Sequence, residues 1–421
     1  MNQLSTHKNT AVHRWIVFLM ICVVYFFVYF HRVSTSVIAS DLLEAFHTNA
    51  TALGFISSMY FYLYALEQPL VGYFTDRIGP RRVIAYWSMA AAAGCILFGM
   101  AADIGWAAAA RALIGIGVGG VYVPALKALS LWFGKKEFPT MVGLLMSVGN
   151  LGAIIATTPL AWAVGTWGWR LTFFLIAVIT LGLAFATLMF TRDHNSPPVA
   201  DRPKPLPRAA ADSELKPNVG RIIASGQFWV FAVIFFGIYG TLITLQGLWA
   251  TPFLMTTLGI KRLLASKLNM LIPIGVMAGA PVTGWLLTRF SLDKRKTLIV
   301  IIVIYALAWL ALIPGILGAA GLSVVFIIMG ITGGGFISTL WGIVRDTTPP
   351  ELMGLTSGLL NVAPFIGVAV FQMITGAILD HTGTAGSLYL AAGFKNAFSV
   401  CLAGIALCLL LSFSIRKREK R

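Results

Sequence analysis

The chain has 421 residues, of which 58% are hydrophobic and 11% charged, whereas soluble domains carry roughly 25% charged residues. So much apolar surface rules out a single core in water and makes lipid the solvent. The net charge of +16 would suit a nucleic-acid binder, but the basic residues lie between apolar runs rather than on one face, so no nucleic-acid partner is expected.

About 20 apolar residues cross a bilayer as a helix, and a helix in lipid pairs all its own backbone polar groups. Such runs lie at 15–39, 51–74, 83–102, 105–130, 139–163 and 168–190, then at 227–255, 265–289, 297–317, 320–344, 353–379 and 386–414. The prediction is an all-α membrane protein with 12 transmembrane helices; merging two spans across the 101–106 turn would break the even count. The N-terminus lacks a short apolar run followed by a small-residue cleavage site, so the first span is expected to be retained.

Lys and Arg gather in alternate loops: Lys8 and Arg14, then Arg77, Arg81 and Arg82, then Lys135 and Lys136. The pattern continues through 191–224, Arg289 and Lys294 to Lys296, Arg345 and the tail from Arg416. The opposite loops hold Lys261, Arg262, Lys267 and Lys395. By the positive-inside rule both termini face the cytoplasm, here of a bacterial inner membrane. Cys22, Cys95, Cys401 and Cys408 fall inside apolar runs without metal or CxxC spacing, so no disulfide framework or metal site is implied.

Residues 191–224 are Pro-rich and mixed in charge, which reads as a flexible cytoplasmic linker. It divides residues 1–190, an N-terminal six-helix bundle, from 225–421, a C-terminal bundle with a short basic tail. The halves repeat each other. Gly72-Tyr-Phe-Thr-Asp76-Arg77 is echoed by Gly284-Trp-Leu-Leu-Thr-Arg289, and Gly143-Leu-Leu…Asn150 by Gly354-Leu-Thr…Asn361, at nearly one offset. A duplicated six-helix unit of this kind places a binding site near the membrane midplane, between two rocking halves.

His31 and Arg32 interrupt the first span. An arginine at the centre of a span costs roughly 3 kcal/mol on insertion scales, so it marks a substrate path or a buried partner. Tyr25, Tyr29, Arg32 and Ser36 share one helix face; Ser57, Tyr60, Tyr64 and Glu67 share another; Arg111 and Tyr122 share a third. The embedded bases Arg32 and Arg111 exceed the one embedded acid, Glu67, and an anionic cargo could supply the missing charge. Guanidinium offers a planar fork that fits a carboxylate with two bonds. Tyr29, Tyr60 and Tyr64, with Tyr239, Gln246, Trp249, Trp341, Asn361, Phe365 and Gln372 from the other half, are candidates to hold the rest of a ligand. The plain alternative for each is helix-to-helix packing, or for Arg32 a pairing with Glu67. His31 and Glu67 are the candidates for carrying a proton. The glycines at 115–120 and 333–335 suit close helix contact, and without G-x-x-x-x-G-K-[ST] no nucleotide is implied. No cofactor and no enzymatic activity are expected.

The segment Gly72 to Arg82, reading G-x-x-x-D-R-x-G-x-R-R, resembles the cytoplasmic signature of the major facilitator superfamily. Arg111-x-x-x-Gly115-x-Gly117 and Gly168-Trp169-Arg170 are similar to further motifs of that family. The resemblance runs over essentially the full length and implies the major facilitator fold, with two pseudo-symmetric six-helix bundles. It also implies that Asp76, Arg77 and Arg81 form a cytoplasmic gate; the second copy has Thr288 where the aspartate stands. Tyr29 to Leu42 resembles the first helix of anion:cation symporters and that of bacterial phagosomal nutrient transporters. His31 stands where symporters of that group have an acid, and Val118 lies near the place of their helix-four glutamate. The expectation is a monomeric secondary transporter in lipid that moves a small organic anion (a carboxylate, sugar acid or amino acid) with H⁺ by alternating access. The alternatives are a proton-coupled exporter of organic cations or amphipathic compounds, or a sensor that transports nothing.

Overall fold

The structure, a computed structural model, describes residues 2–134, 137–192, 219–349, 352–385 and 388–415. Lys135 and Lys136, most of the expected linker and the tail from Arg416 lie outside the described residues.

The first half consists of α1 (Asn2–Ala45), α2 (Ala50–Ile78), α3 (Pro80–Met100), α4 (Ile104–Trp132), α5 (Phe138–Ile155) and α6 (Thr158–Phe190). In the second half, α7 (Gly226–Thr244) runs through a π-helical turn, Leu245–Trp249, into α8 (Ala250–Leu258). Then come α9 (Arg262–Asn269), α10 (Leu271–Arg289), α11 (Lys294–Leu312), α12 (Ala319–Thr347), α13 (Met353–Leu360), α14 (Val362–Thr382) and α15 (Ala391–Ser412). Side-chain oxygens of Asn49, Asp103 and Asp293 cap α2, α4 and α11 by accepting from Ala52, Trp106 and Lys296 N–H groups.

Among the described residues, ten of the spans are long and apolar enough to cross a membrane. The other two have separate reasons for falling short. α2 has 29 residues, ample length, but Glu67, Gln68, Asp76 and Arg77 dilute its apolar character. α5 has 18 residues, and the fifth span continues past Thr157 as the first part of α6. The turn into span six falls at Gly168, whose φ of 76° is non-helical. The twelfth span starts at Ala391 rather than at 386. Gly383, at φ 94°, ends α14, and the chain then makes a small hairpin of β1 (Thr384–Ala385) with β2 (Leu388–Tyr389).

Both bundles pair their helices alike. In the first, α3 packs on α4 and α6, α2 on α4, and α1 on α5 and α6. In the second, α11 packs on α12 and α15, α10 on α12, and α7 on α14 and α15. These are the same pairs in duplicate, so the protein is an integral membrane protein of two pseudo-symmetric six-helix bundles. Glycines permit the closest crossings. A Cβ at Gly117 would lie 2.2 Å from the Ala91 nitrogen, and one at Gly334 would lie 2.3 Å from the Val276 carbonyl. Between bundles, α2 lies along α14 and α1 crosses the π turn.

Candidate functional site

Arg32 projects from the middle of α1 into the seam between the bundles, where 4% of it is exposed. Its Nη1 donates to the Tyr239 hydroxyl at 3.1 Å and its Nη2 to the Tyr64 hydroxyl at 3.3 Å. Tyr64 comes from α2 and Tyr239 from α7, so each bundle contributes one acceptor. Rings of Tyr29, Phe365 and Tyr64 surround the guanidinium carbon at 4.4, 5.1 and 5.3 Å. Such faces stabilise a cation where water is absent. Nε has no hydrogen-bond partner, and no carboxylate pairs with Arg32 among the described residues. The backbone is equally close: a Cβ on Gly247, in the π turn, would lie 2.6 Å from the Arg32 carbonyl. π turns recur at functional sites, and nothing in the apolar pattern of 227–255 announces this one.

The other embedded charges face elsewhere. Arg111, fully buried, donates with both Nη atoms at 3.2 Å to the His31 carbonyl and lies 4.9 Å from the Tyr60 ring. It thus braces α1 against α4 inside the first bundle. Tyr60 gives its hydroxyl to the Val28 carbonyl at 2.9 Å. His31 is also fully buried, with Nε2 3.7 Å from the Cys95 sulfur. Glu67 accepts from the Trp87 indole at 2.9 Å through one oxygen, while the other has no partner among the described residues. The alternative pairing of Arg32 with Glu67 is therefore absent.

In the second bundle, the Trp249 indole donates to the Thr375 hydroxyl at 2.7 Å, and the Gln246 backbone carbonyl accepts from the Asn269 amide at 3.0 Å. Trp341 is half-buried, its ring 4.9 Å from that of Phe235, and Asn361 sits half-buried at the break between α13 and α14. Of the residues singled out in the sequence, the structure gathers Arg32, Tyr29, Tyr64, Tyr239 and Phe365.

The contacts between bundles are strongest where α1 ends and α2 begins. Asp380, near the end of α14, accepts the Ala50 N–H at 2.7 Å, the Thr51 N–H at 2.6 Å and the Thr51 hydroxyl. A carboxylate from one bundle thus caps the positive helix end of the other. Arg262 pairs with Asp41 at 2.8 Å and donates to the Ser40 hydroxyl at 3.1 Å. Ser36, Thr251 and Asn269 form a buried hydrogen-bonded clasp between α1 and the second bundle. At the opposite end Asp76 pairs with Lys127 at 2.7 Å, Arg77 donates to Tyr73 at 2.6 Å, and Arg81 donates to the Leu188 carbonyl. These three contacts remain within the first bundle.

Known proteins bear on this architecture. The chain is 26% identical over 417 residues to an uncharacterized transporter, YybO, of Bacillus subtilis (strain 168), covering 92% of each. It is 24% identical over 386 residues to a hexuronate transporter of Escherichia coli (strain K12), covering 88% of each. Among solved structures, a bacterial homolog of the human lysosomal transporter Spinster, crystallised inward-facing and unoccupied, superposes with a TM-score of 0.75 at 17% identity. The overlap spans 96% of this chain and 97% of that one. Residues 21–371 match the profile of the Major Facilitator Superfamily; with this match, the duplicated bundles and the Gly72–Arg82 signature, the chain belongs to that superfamily.

Proposed function

We propose that this protein is a secondary transporter of small organic anions whose carboxylate is anchored by Arg32. The supporting observation is the charge balance of the seam: a buried guanidinium between the bundles, held by two phenol hydroxyls and by no carboxylate among the described residues. Phenol oxygens accept from the cation in the absence of cargo. When a carboxylate arrives it takes the guanidinium fork, and the same hydroxyls can turn to donate to it. The hexuronate transporter of Escherichia coli, similar over most of its length, is consistent with a hydroxylated acid as cargo.

With the termini in the cytoplasm, as the Lys and Arg distribution implies, the end closed by Asp380, Arg262 and the Ser36 clasp faces outward. Alternating access then consists of releasing these contacts while closing the signature end, where Asp76 meanwhile rests on Lys127. Glu67 serves as the proton carrier in this reading: one of its oxygens has no partner among the described residues, so a proton can come and go without breaking an ion pair. His31, sealed inside the first bundle against Cys95, and Arg111, spent on a backbone carbonyl, act as structural groups. The exporter alternative needs an acid facing the seam, and Glu67 turns instead to Trp87.

Uptake of labelled D-glucuronate into proteoliposomes tests the reading. Wild-type uptake should rise with an inward proton gradient and vanish in Arg32→Gln. Unchanged uptake by that variant removes the anchor.

A further inference from the structure

Gln372, on α14, is fully buried, and neither its amide nitrogen nor its carbonyl oxygen has a hydrogen-bond partner among the described residues. Native proteins seldom leave even one buried polar atom unpaired, because it forfeits its bonds to water without replacement. The interior supplies partners elsewhere: the amide nitrogen of Asn269 finds three acceptors. An amide left open on both atoms is therefore suited to a ligand.

Its position supports this. Phe365, 5.1 Å from the Arg32 guanidinium, lies two turns before Gln372 on nearly the same face of α14, or about 10 Å along the axis. That face is turned to the first bundle. A Cβ on Gly54 would lie 2.5 Å from the Gln372 backbone carbonyl, and the Tyr64 and Phe365 rings meet at 4.4 Å. Side chains lean toward the N-terminus of their helix, which for Gln372 means toward Phe365 and Arg32. Across the seam, Ser57 follows Gly54 by one turn of α2. It too is fully buried, and its hydroxyl has no hydrogen-bond partner among the described residues.

We propose that Gln372, aided by Ser57, reads hydroxyl groups on the carbon chain of the cargo while Arg32 holds its carboxylate. The amide N–H₂ donates to one hydroxyl and the carbonyl accepts from another. A chain of about six carbons, with a hydrogen bond at each end, spans the distance to the anchor. This inference rests on the reading of Arg32 above and narrows the substrate class to polyhydroxy acids.

Binding of two probes to the purified full-length protein tests it: D-gluconate, a six-carbon acid with hydroxyls, and hexanoate, the same length without them. Wild type should prefer gluconate, and Gln372→Met should narrow that preference by roughly tenfold to a hundredfold by weakening gluconate alone. The same variant should raise the thermal midpoint of the ligand-free protein, because an unpaired amide has been removed. Gln372→Asn should restore part of the preference. The proposal is overturned if wild type has no preference, if Gln372→Met keeps it, or if that variant loses both acids equally and unfolds earlier. Arg32→Gln, measured alongside, should weaken both acids together; if it weakens neither, the anchor fails on its own account.

Discussion

The two bundles share one packing scheme but differ in what they bury. The first encloses His31, Arg32, Glu67 and Arg111, while the buried polar groups described in the second are all neutral: threonines, serines, Gln246, Asn269 and Gln372. Duplication preserved the helix pairing, since that depends on small residues at crossings such as Gly117 and Gly334. Charge did not have to be preserved. In lipid each buried charge costs several kcal/mol unless it is compensated or used. One cation at the seam serves both bundles, and the neutral half can orient the uncharged part of a ligand.

The largest effect should come from the seam itself. Arg32→Gln removes the charge while keeping hydrogen bonding, and transport should fall by roughly a hundredfold or more, as expected for a desolvated charged contact. Retained transport in proteoliposomes would erase the distinction between the bundles. Arg111→Met should separate a structural cation from a binding one. It removes two hydrogen bonds to the His31 carbonyl and uncovers Tyr60, destabilising the fold by about 1–3 kcal/mol. Folded molecules should still bind anion within about twofold of wild type, read by thermal unfolding and equilibrium binding. A folded variant with no anion binding would mean that both cations act together.

Smaller effects are expected at the contacts that hold the halves in register. Asp380→Asn weakens the bonds to the Ala50 and Thr51 N–H groups, by about 1 kcal/mol for a carboxylate at a helix end. Spin labels at Glu44→Cys and Leu390→Cys, both exposed positions, should report a larger population of long distances. The four native cysteines are buried and leave the labelling specific. An unchanged distribution would show that the outer contact does not depend on that charge. Trp249→Phe should matter least. It deletes one hydrogen bond to Thr375, costing about 1 kcal/mol of stability, and transport should persist. A transport defect larger than the stability loss would place Trp249 back among the ligand contacts.

Several site residues are legible in the sequence alone. Arg32, Tyr29 and Tyr64 stand out because a charge and hydroxyls in the centre of spans need a local reason. Arg111 satisfies the same criterion and yet packs onto the backbone of α1, and Trp249 turns inward to Thr375. Position along a span says how deep a residue lies, not which neighbour its helix face meets. Asp380 and Arg262 look like ordinary helix-end charges in sequence. Their role at the closed end emerges only when α14 is laid beside α2, and α9 beside α1.

Composition, charge placement and the internal repeat were enough to establish the solvent, the span count and the two-bundle plan. Each follows from costs incurred residue by residue: apolar groups in lipid, Lys and Arg in loops, backbone bonds within each helix. The tertiary structure alone decided which buried polar groups share the seam. That depends on how each helix is rotated about its axis and on glycine contacts between segments hundreds of residues apart, and neither is set by any local stretch of chain.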